Sequence, residues 1–413
     1  MRMWIFIIRR SILLIPVIVG VMTITFALIS ALPLVQQLEA HYGQPGPHDL
    51  WIYNQNLLPG QGNCPPAPNT KPCVNQFYLT AINNLGLNKP IPVQWGFYIY
   101  HSLTFQWGYV DNYSTATHNV AAIKGQTVTT VLSWYLPYTL ELAALSLAII
   151  LLIAIPLGNL SAVNRNRPVD QAARVLSFSG FAMPTFLLGS LLLMGFVIFI
   201  GATAPHHYFS VTPWCSPGDA TYTELWGSWP VPGCFSGGVY PAWMPTGINT
   251  VPTGFPTVDA AAHGQYWLAA DSLLRMILPA ITIAFGSIAV LLRFVRNSML
   301  EVMNLDFVRT ARAEGVPSKT VVNRHAGRNS LNVTITVLGL TFAFFIGGFP
   351  VIEYVFHLNG IGLMLAYSIQ VTNGSVDYGL IFGTTLLFTF IIVIANIIVD
   401  VLYAFLDPRV RLG

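Results

Sequence analysis

The sequence has few charged side chains. Asp, Glu, Lys and Arg make up 8% of its 413 residues, whereas 54% are hydrophobic. An ordinary soluble domain carries about 25% charged residues, which solvate its surface. A soluble protein with this composition would lack such a surface, so we expect lipid to cover much of the chain. The net charge of +3 is too small to indicate a nucleic-acid partner.

The chain also lacks the signatures of nucleotide-binding and hydrolytic sites. A P-loop needs a glycine-rich turn ending in Gly-Lys-Ser/Thr, and no Gly-Lys pair occurs. The patterns His-Glu-x-x-His and Gly-x-Ser-x-Gly are absent too. The pair His206 and His207 has no further ligand at fixed spacing, which favours an exposed loop pair over a metal site. We predict that this chain is not an enzyme and carries no cofactor or metal.

Long apolar runs, in contrast, are abundant. Crossing a bilayer takes about 20 apolar residues, and backbone groups in hydrocarbon must be satisfied within their own segment, which makes each run a helix. We therefore predict an all-α polytopic membrane protein. Its six transmembrane helices are expected at residues 11–35, 136–160, 175–202, 276–292, 331–352 and 378–399.

The placement of lysine and arginine predicts the orientation. If both termini lie in the cytoplasm, 15 of the 19 basic residues fall on the cytoplasmic side, as the positive-inside rule favours. Only Lys71, Lys89, Lys124 and Arg275 then lie outside. We expect a multi-pass protein of the cell membrane with both termini in the cytoplasm.

This topology divides the chain into membrane segments and loops. The two long outer loops are expected to be small folded lobes. The predicted parts are the cytoplasmic N-terminus with the first transmembrane helix (1–35), an extracytoplasmic lobe (36–126), a core with five transmembrane helices (127–404) and a cytoplasmic tail (405–413). The core includes a second extracytoplasmic lobe at 203–271 and a long cytoplasmic loop at 293–330.

All four cysteines fall in the two outer lobes. Cys64 and Cys73 share the first lobe, and Cys215 and Cys234 share the second. An even number, two per lobe, in an oxidising compartment predicts one disulfide within each lobe. Four unpaired thiols are the alternative.

The cytoplasmic loop has a helical pattern with a break. Phe307, Val308 and Ala311 share one predicted stripe, and Arg309 and Arg312 share another. Gly315 lowers helix propensity, and the proline at 317 disfavours α conformation in the residue before it but suits the first turn of a second helix. A helix, a bend and a basic second helix are expected. Small residues around the bend favour docking of a partner over a merely solvated basic loop.

The loop also resembles a known family. Phe307-Val308-Arg309-Thr310-Ala311-Arg312-Ala313-Glu314-Gly315, then Arg324-His325-Ala326 and Arg328-Asn329, is similar to the ATPase-coupling loop of ABC importer permeases of the dipeptide/oligopeptide (binding-protein-dependent) family. Other segments match that family in the same order, among them Leu85-Gly86-Leu87-Asn88-Lys89-Pro90, Met183-Pro184-Thr185-Phe186 and Leu406-Asp407-Pro408-Arg409.

The resemblance implies the six-helix fold of type I ABC importer permeases and half of a translocation pathway for short peptides. It implies a second homologous permease, two cytoplasmic ABC ATPases and an extracytoplasmic substrate-binding protein as partners. ATP hydrolysis would belong to the separate ATPase subunits. The same branch also serves oligosaccharides and nickel, which stay open as cargo.

An ion-coupled secondary transporter is the rival class. Coupling of that kind needs ionisable groups near the bilayer centre. The acids Glu141, Glu353 and Asp400 are expected near the ends of predicted spans, which disfavours an ion-coupled transporter.

Alternating access in an importer needs hinges in its helices, and a proline within a helix removes a backbone hydrogen bond. Pro184, Gly347-Gly348 and Pro350 are the candidate hinges.

Overall fold

In a computed structural model, the described part of the chain is mostly helical, and the predicted all-α polytopic class is confirmed. The structure describes residues 3–43, 52, 55–57, 73–111, 123, 125–200, 255–262, 266–327, 329–330, 349–370 and 376–406. The chain forms two compact units. The first comprises Met1–Ser11, Leu136–Leu363 and Ile392–Gly413, and the second comprises Ile12–Tyr135 and Met364–Ile391.

Among its described residues, the N-terminal third contains helices of very different lengths and one minimal strand pair. In chain order its elements are α1 (Met3–Ser30), α2 (Leu34–Tyr42), β1 (Asn56–Leu57), β2 (Cys73–Val74), α3 (Gln76–Leu85) and α4 (Ile91–Leu103). β1 and β2 pair antiparallel, with Leu57 opposite Cys73. α3 starts where the Asn75 side chain accepts hydrogen bonds from the backbone N–H groups of Phe77 and Tyr78, which satisfies two donors that a helix start leaves free.

The remaining helices form the apolar core and the long polar loop at 293–330. They are α5 (Val128–Val163), α6 (Pro168–Ala182), α7 (Thr185–Ile200), α8 (Pro256–Ala262), α9 (Tyr266–Val302), α10 (Asp306–Ala313), α11 (Ser318–Thr320) continued by a π-helical segment (Val321–Ala326), α12 (Phe349–Phe356), α13 (Ile361–Ile369) and α14 (Tyr378–Leu406).

Four described helices are long and apolar enough to cross a membrane, and two bent helix pairs bring the possible spans to six. The four segments are Ile12–Ser30, Val128–Val163, Ser272–Val302 and Tyr378–Val399. They agree with the predicted first, second, fourth and sixth spans, although their ends differ. The second starts at Val128 rather than at 136, so Glu141 lies 13 residues inside this 36-residue helix.

The third predicted span is wrong as a single helix. α6 and α7 meet at an angle of 107°, and the break falls at Met183, which has extended backbone (φ −93°, ψ 121°). Pro184 causes it, because proline disfavours α conformation in the residue before it and donates no hydrogen bond. Pro184 is thus confirmed as a break point.

The fifth predicted span differs as well. Residues 331–348, including the candidate hinge Gly347-Gly348, lie outside the described part of the chain. Beyond them, α12 and α13 meet at 84° across residues 357–360. The bend therefore follows α12 and does not fall at Pro350, which lies within that helix. Glu353, predicted near a span end, is fully buried on α12 beside this bend.

Candidate functional site

α10, the first helix of the loop at 293–330, packs against the rest of the first unit through two small or branched side chains. Val308 is fully buried and Ala311 is 7% exposed. They join a cluster with Ala162 at the end of α5, Met299 and Val302 at the end of α9, and Val321 and Ala326 of the π-helical segment. Phe307, which the sequence placed on the same stripe, is 40% exposed. The buried part of this stripe therefore consists of Val308 and Ala311, and Phe307 lies at its exposed edge.

A bend follows α10 at the predicted place. The Gly315 N–H donates to the Arg312 carbonyl at 3.1 Å, and the Val316 N–H donates to the Ala311 carbonyl at 3.1 Å. Gly315 has φ +81°, the left-handed region that favours glycine. A Cβ built there would meet no neighbour within 4 Å. The backbone conformation, rather than lack of space, therefore requires glycine at this position.

The other face of the segment is polar and exposed. Arg309 is 70% exposed in its side chain and lies 3.4 Å from Asp306, a surface ion pair of small energetic value. Further exposed polar or small residues on this segment are Thr310, Arg312, Ala313, Glu314, Lys319 and Arg324, while His325 is half-buried. Arg328 lies outside the described residues. We define the exposed residues 309, 310 and 312–315 with Lys319 and Arg324 as the coupling face, after the role expected from the sequence.

A buried carboxylate, Asp170, ties the helix ends that support this segment. Asp170 is fully buried and accepts from Arg296 Nε at 2.6 Å, Arg174 Nη2 at 2.6 Å and Ser161 Oγ at 2.6 Å. The Asn166 backbone N–H also donates to it at 2.9 Å. A buried charge needs such complete pairing to be tolerated. This network fixes α5, α6 and α9 to one another.

Sequence reasoning did not find this network. The local signal was one acidic residue in the otherwise basic stretch from Arg165 to Arg174, four positions before Arg174. The partner Arg296 is 126 residues away along the chain, and no local pattern indicates it.

A second buried carboxylate, Glu353, holds the bend between α12 and α13. It accepts from Thr139 Oγ1 at 2.7 Å and from the backbone N–H groups of Gly362 at 2.6 Å and Leu363 at 3.3 Å. The same Thr139 oxygen accepts from the Ile361 N–H at 3.0 Å. The carboxylate thus caps α13, whose first N–H groups have no partner within the helix. The segment Gly360-Ile361-Gly362 is the feature of the sequence that could have indicated this bend.

The glycines at this bend leave room for the carboxylate. A Cβ at Gly360 would lie 2.3 Å from the Glu353 carboxyl group, and one at Gly362 would lie 2.2 Å from the backbone of Pro350. Neither position can therefore hold a larger side chain without displacing the bend. Glu353 is committed to structural hydrogen bonds, which does not suit the exchange of protons that a relay requires.

A small cavity in the second unit combines histidines with apolar walls. It measures about 90 Å³ and is lined by His41, Tyr98, His101, Trp107 and several apolar residues. The rings of His41 and His101 lie 5.6 Å apart, and His101 Nδ1 is 2.9 Å from Gln106 Oε1. Burial, with a smaller effect from His101, lowers the pKa of His41 to about 4. Burial likewise raises the pKa of Tyr98 to about 12.

The predicted disulfides and the histidine pair cannot be placed. Cys64, Cys215, Cys234, His206 and His207 lie outside the described residues. Both disulfides therefore stay predictions. Within the described part of the chain, no group of three or more histidine, cysteine or acidic side chains could hold a metal ion.

The apolar helices and the basic helix–bend–helix segment at their ends define a polytopic membrane protein of the transport class. The chain belongs to the family of binding-protein-dependent transport system inner membrane components, which matches residues 154–412. This range contains the coupling face, the buried carboxylates of Asp170 and Glu353, and every described helix from α6 onward.

Named relatives are similar over most of the chain. A probable D,D-dipeptide transport system permease protein of Escherichia coli K12 is 34% identical over 80% of this chain and 83% of its own length. The dipeptide transport system permease protein of the same strain is 29% identical over 98% of both chains. An oligopeptide transport system permease protein of Bacillus subtilis 168 is 28% identical over 98% of this chain and 99% of its own.

Proposed function

We propose that this chain forms one half of the translocation pathway of an ATP-driven importer of short peptides. The observation that carries the proposal is the coupling face, an exposed basic segment. Val308 and Ala311, on the opposite side of the same helix, pack it against the ends of α5 and α9. Family membership supports the transport role, and the names of relatives that carry dipeptides and oligopeptides support the cargo.

The partners follow from what the coupling face offers. It presents Arg309, Arg312, Lys319 and Arg324 to solvent on a segment with a fixed bend. No Gly-Lys pair exists to build a P-loop in this chain. Two cytoplasmic ATPase subunits would supply ATP hydrolysis and act on this face. A second homologous permease and an extracytoplasmic binding protein complete the proposed assembly.

The orientation is part of the proposal. Both termini and the coupling face would lie in the cytoplasm, where 15 of 19 basic residues then fall. ATP-driven closure of the ATPases would move the coupling face. The clusters around Val308 and Asp170 would pass this motion to α5, α6 and α9, since packed and paired elements move together.

Reconstitution tests this function directly. The full chain is assembled with its second permease, ATPases and binding protein in proteoliposomes, and uptake of labelled dipeptides is measured with and without ATP. Uptake that needs ATP and all partners is the expected result. ATP-dependent uptake of an oligosaccharide or of nickel, without uptake of dipeptides, would show that peptides are not the cargo. Uptake by this chain alone, driven by a proton gradient, would refute the ATP-driven class.

A further inference from the structure

A recess lined by arginines opens between α6 and α9 in the first unit. Its volume is about 770 Å³, and its charged lining consists of Arg165, Arg174, Arg293 and Arg296. No acidic residue lines it among the residues that the structure describes. Asp170 lies buried beside it and pairs with Arg174 and Arg296. Four arginines less one carboxylate leave a local charge of +3.

Two of these arginines are available to a ligand. Arg165 and Arg293 are exposed, and no described carboxylate lies within ion-pair distance of either. Arg174, although paired, has 45% of its side chain exposed. Planar guanidinium groups match the oxygens of a phosphate better than an ammonium does. The recess is thus suited to a phosphate-bearing anion.

The rim of the same recess is apolar and open. Phe178 is 73% exposed, Phe181 is 81% exposed and Phe294 is 44% exposed. Phe178 and Phe181 lie three positions apart and therefore project from one side of α6. α6 belongs to a helix pair apolar enough to enter a membrane. Exposed rings there are suited to hydrocarbon chains.

We propose that this recess binds an anionic phospholipid, with its phosphate among Arg165, Arg293 and Arg174 and its acyl chains along Phe178 and Phe181. Basic pockets between membrane helices on the cytoplasmic side are suited to such headgroups. A free anion would use the arginines but leave the rings exposed to water. A docked protein would have to cover the rings and also neutralise the excess charge. A phospholipid satisfies both requirements in one molecule.

The site lies close to the coupling face. Arg296 precedes Val302, the last residue of α9, by six positions, which is about 9 Å along the helix. A lipid bound there would hold α6 and α9 together beside the Asp170 network. The proposal depends on the orientation of the chain but not on its cargo.

Native mass spectrometry of the full-length chain tests the site. The purified protein is titrated with phosphatidylglycerol and with phosphatidylethanolamine of the same acyl chains. We expect at least tenfold tighter binding of phosphatidylglycerol. Each arginine near an anionic headgroup is worth roughly fivefold in affinity, so the double variant Arg165→Gln/Arg293→Gln should weaken this binding about thirtyfold. Arg174 and Arg296 are left intact because they hold Asp170.

A matched variant and a competitor make the test decisive. Arg167→Gln removes an exposed arginine of the same turn that does not line the recess, and it should leave lipid binding unchanged. Equal affinity for both lipids, or equal loss in Arg167→Gln, would overturn the proposal. So would displacement of the lipid by excess inorganic phosphate, which indicates an ion site, or by the partner subunits on assembly, which indicates a protein interface.

Discussion

Thr139 has two hydrogen-bonding roles through a single hydroxyl. Its O–H donates to the Glu353 carboxylate, and its oxygen accepts from the Ile361 N–H. Both partners are buried, so neither can turn to water when the hydroxyl is lost. A buried polar group without a partner costs about 1–3 kcal/mol.

Thr139→Val should therefore destabilise the chain by about 2–3 kcal/mol, because valine keeps the shape and removes both bonds. The measurement is thermal unfolding of the purified protein in mild detergent. Thr139→Ser retains the hydroxyl and should melt clearly higher than Thr139→Val.

Thr282→Val provides the control for this prediction. Thr282 is also fully buried, but its hydroxyl donates only to the Leu278 carbonyl of its own helix. Thr282→Val should therefore lower the free energy of unfolding by no more than about 1 kcal/mol. Equal melting temperatures for Thr139→Val and Thr282→Val would show that Thr139 does not hold the bend.

The helices show what local pattern can and cannot predict. Apolar runs located four spans, and Pro184 located the break between α6 and α7, because hydropathy and proline geometry are local properties. The start of α5 was missed by eight residues, since Val128 follows a polar cap in which Thr127 Oγ1 accepts from the Thr130 N–H. The bend after α12 depends on Glu353 and on Thr139, which lies 214 residues away from it.

The same distinction applies to the candidate site. The helix, bend and exposed arginines of residues 306–326 follow from the spacing of residues within one segment. Burial of Val308 rather than Phe307 depends on the ends of α5 and α9, and the spacing alone does not reveal it.

Gly315 sets the direction of the chain after α10. Its φ of +81° costs about 1–2 kcal/mol for a residue with a Cβ, although there is space for one. In the full importer, Gly315→Val should abolish the stimulation of ATP hydrolysis by the loaded binding protein, because a redirected bend would misplace the coupling face. The chain itself should still insert and assemble, since no packed neighbour is displaced.

Gly315→Asn separates conformation from side-chain presence. Asparagine adopts left-handed backbone far more readily than valine does. It should keep most of the stimulation, measured as ATP turnover with and without loaded binding protein. Full stimulation in Gly315→Val would show that the bend does not transmit the signal, and loss in both variants would point to the added side chain instead.

Asp170 and His41, one in each unit, are ionisable groups in very different surroundings. In the first unit, buried Asp170 is paired with two arginines. The second unit buries His41 in an apolar-walled cavity beside another histidine, and no acidic residue lines that cavity among the residues described. Protonation of His41 is therefore unfavourable in the folded chain, and the second unit should lose stability as the pH falls below the ordinary pKa of histidine.

The sign of this acid sensitivity follows from the pKa of His41, about 4 in the folded chain against an ordinary value of 6.5. Between these values the unfolded chain binds more protons than the folded chain, so stability falls as pH drops from 6.5 towards 4. The loss by pH 5 should be on the order of 1 kcal/mol, since His41 retains some exposure. His41→Gln cannot be protonated there and should lose less stability between pH 7.5 and pH 5. Melting temperatures of both proteins at the two pH values measure this difference, and parallel pH curves would show that folding does not lower the pKa of His41.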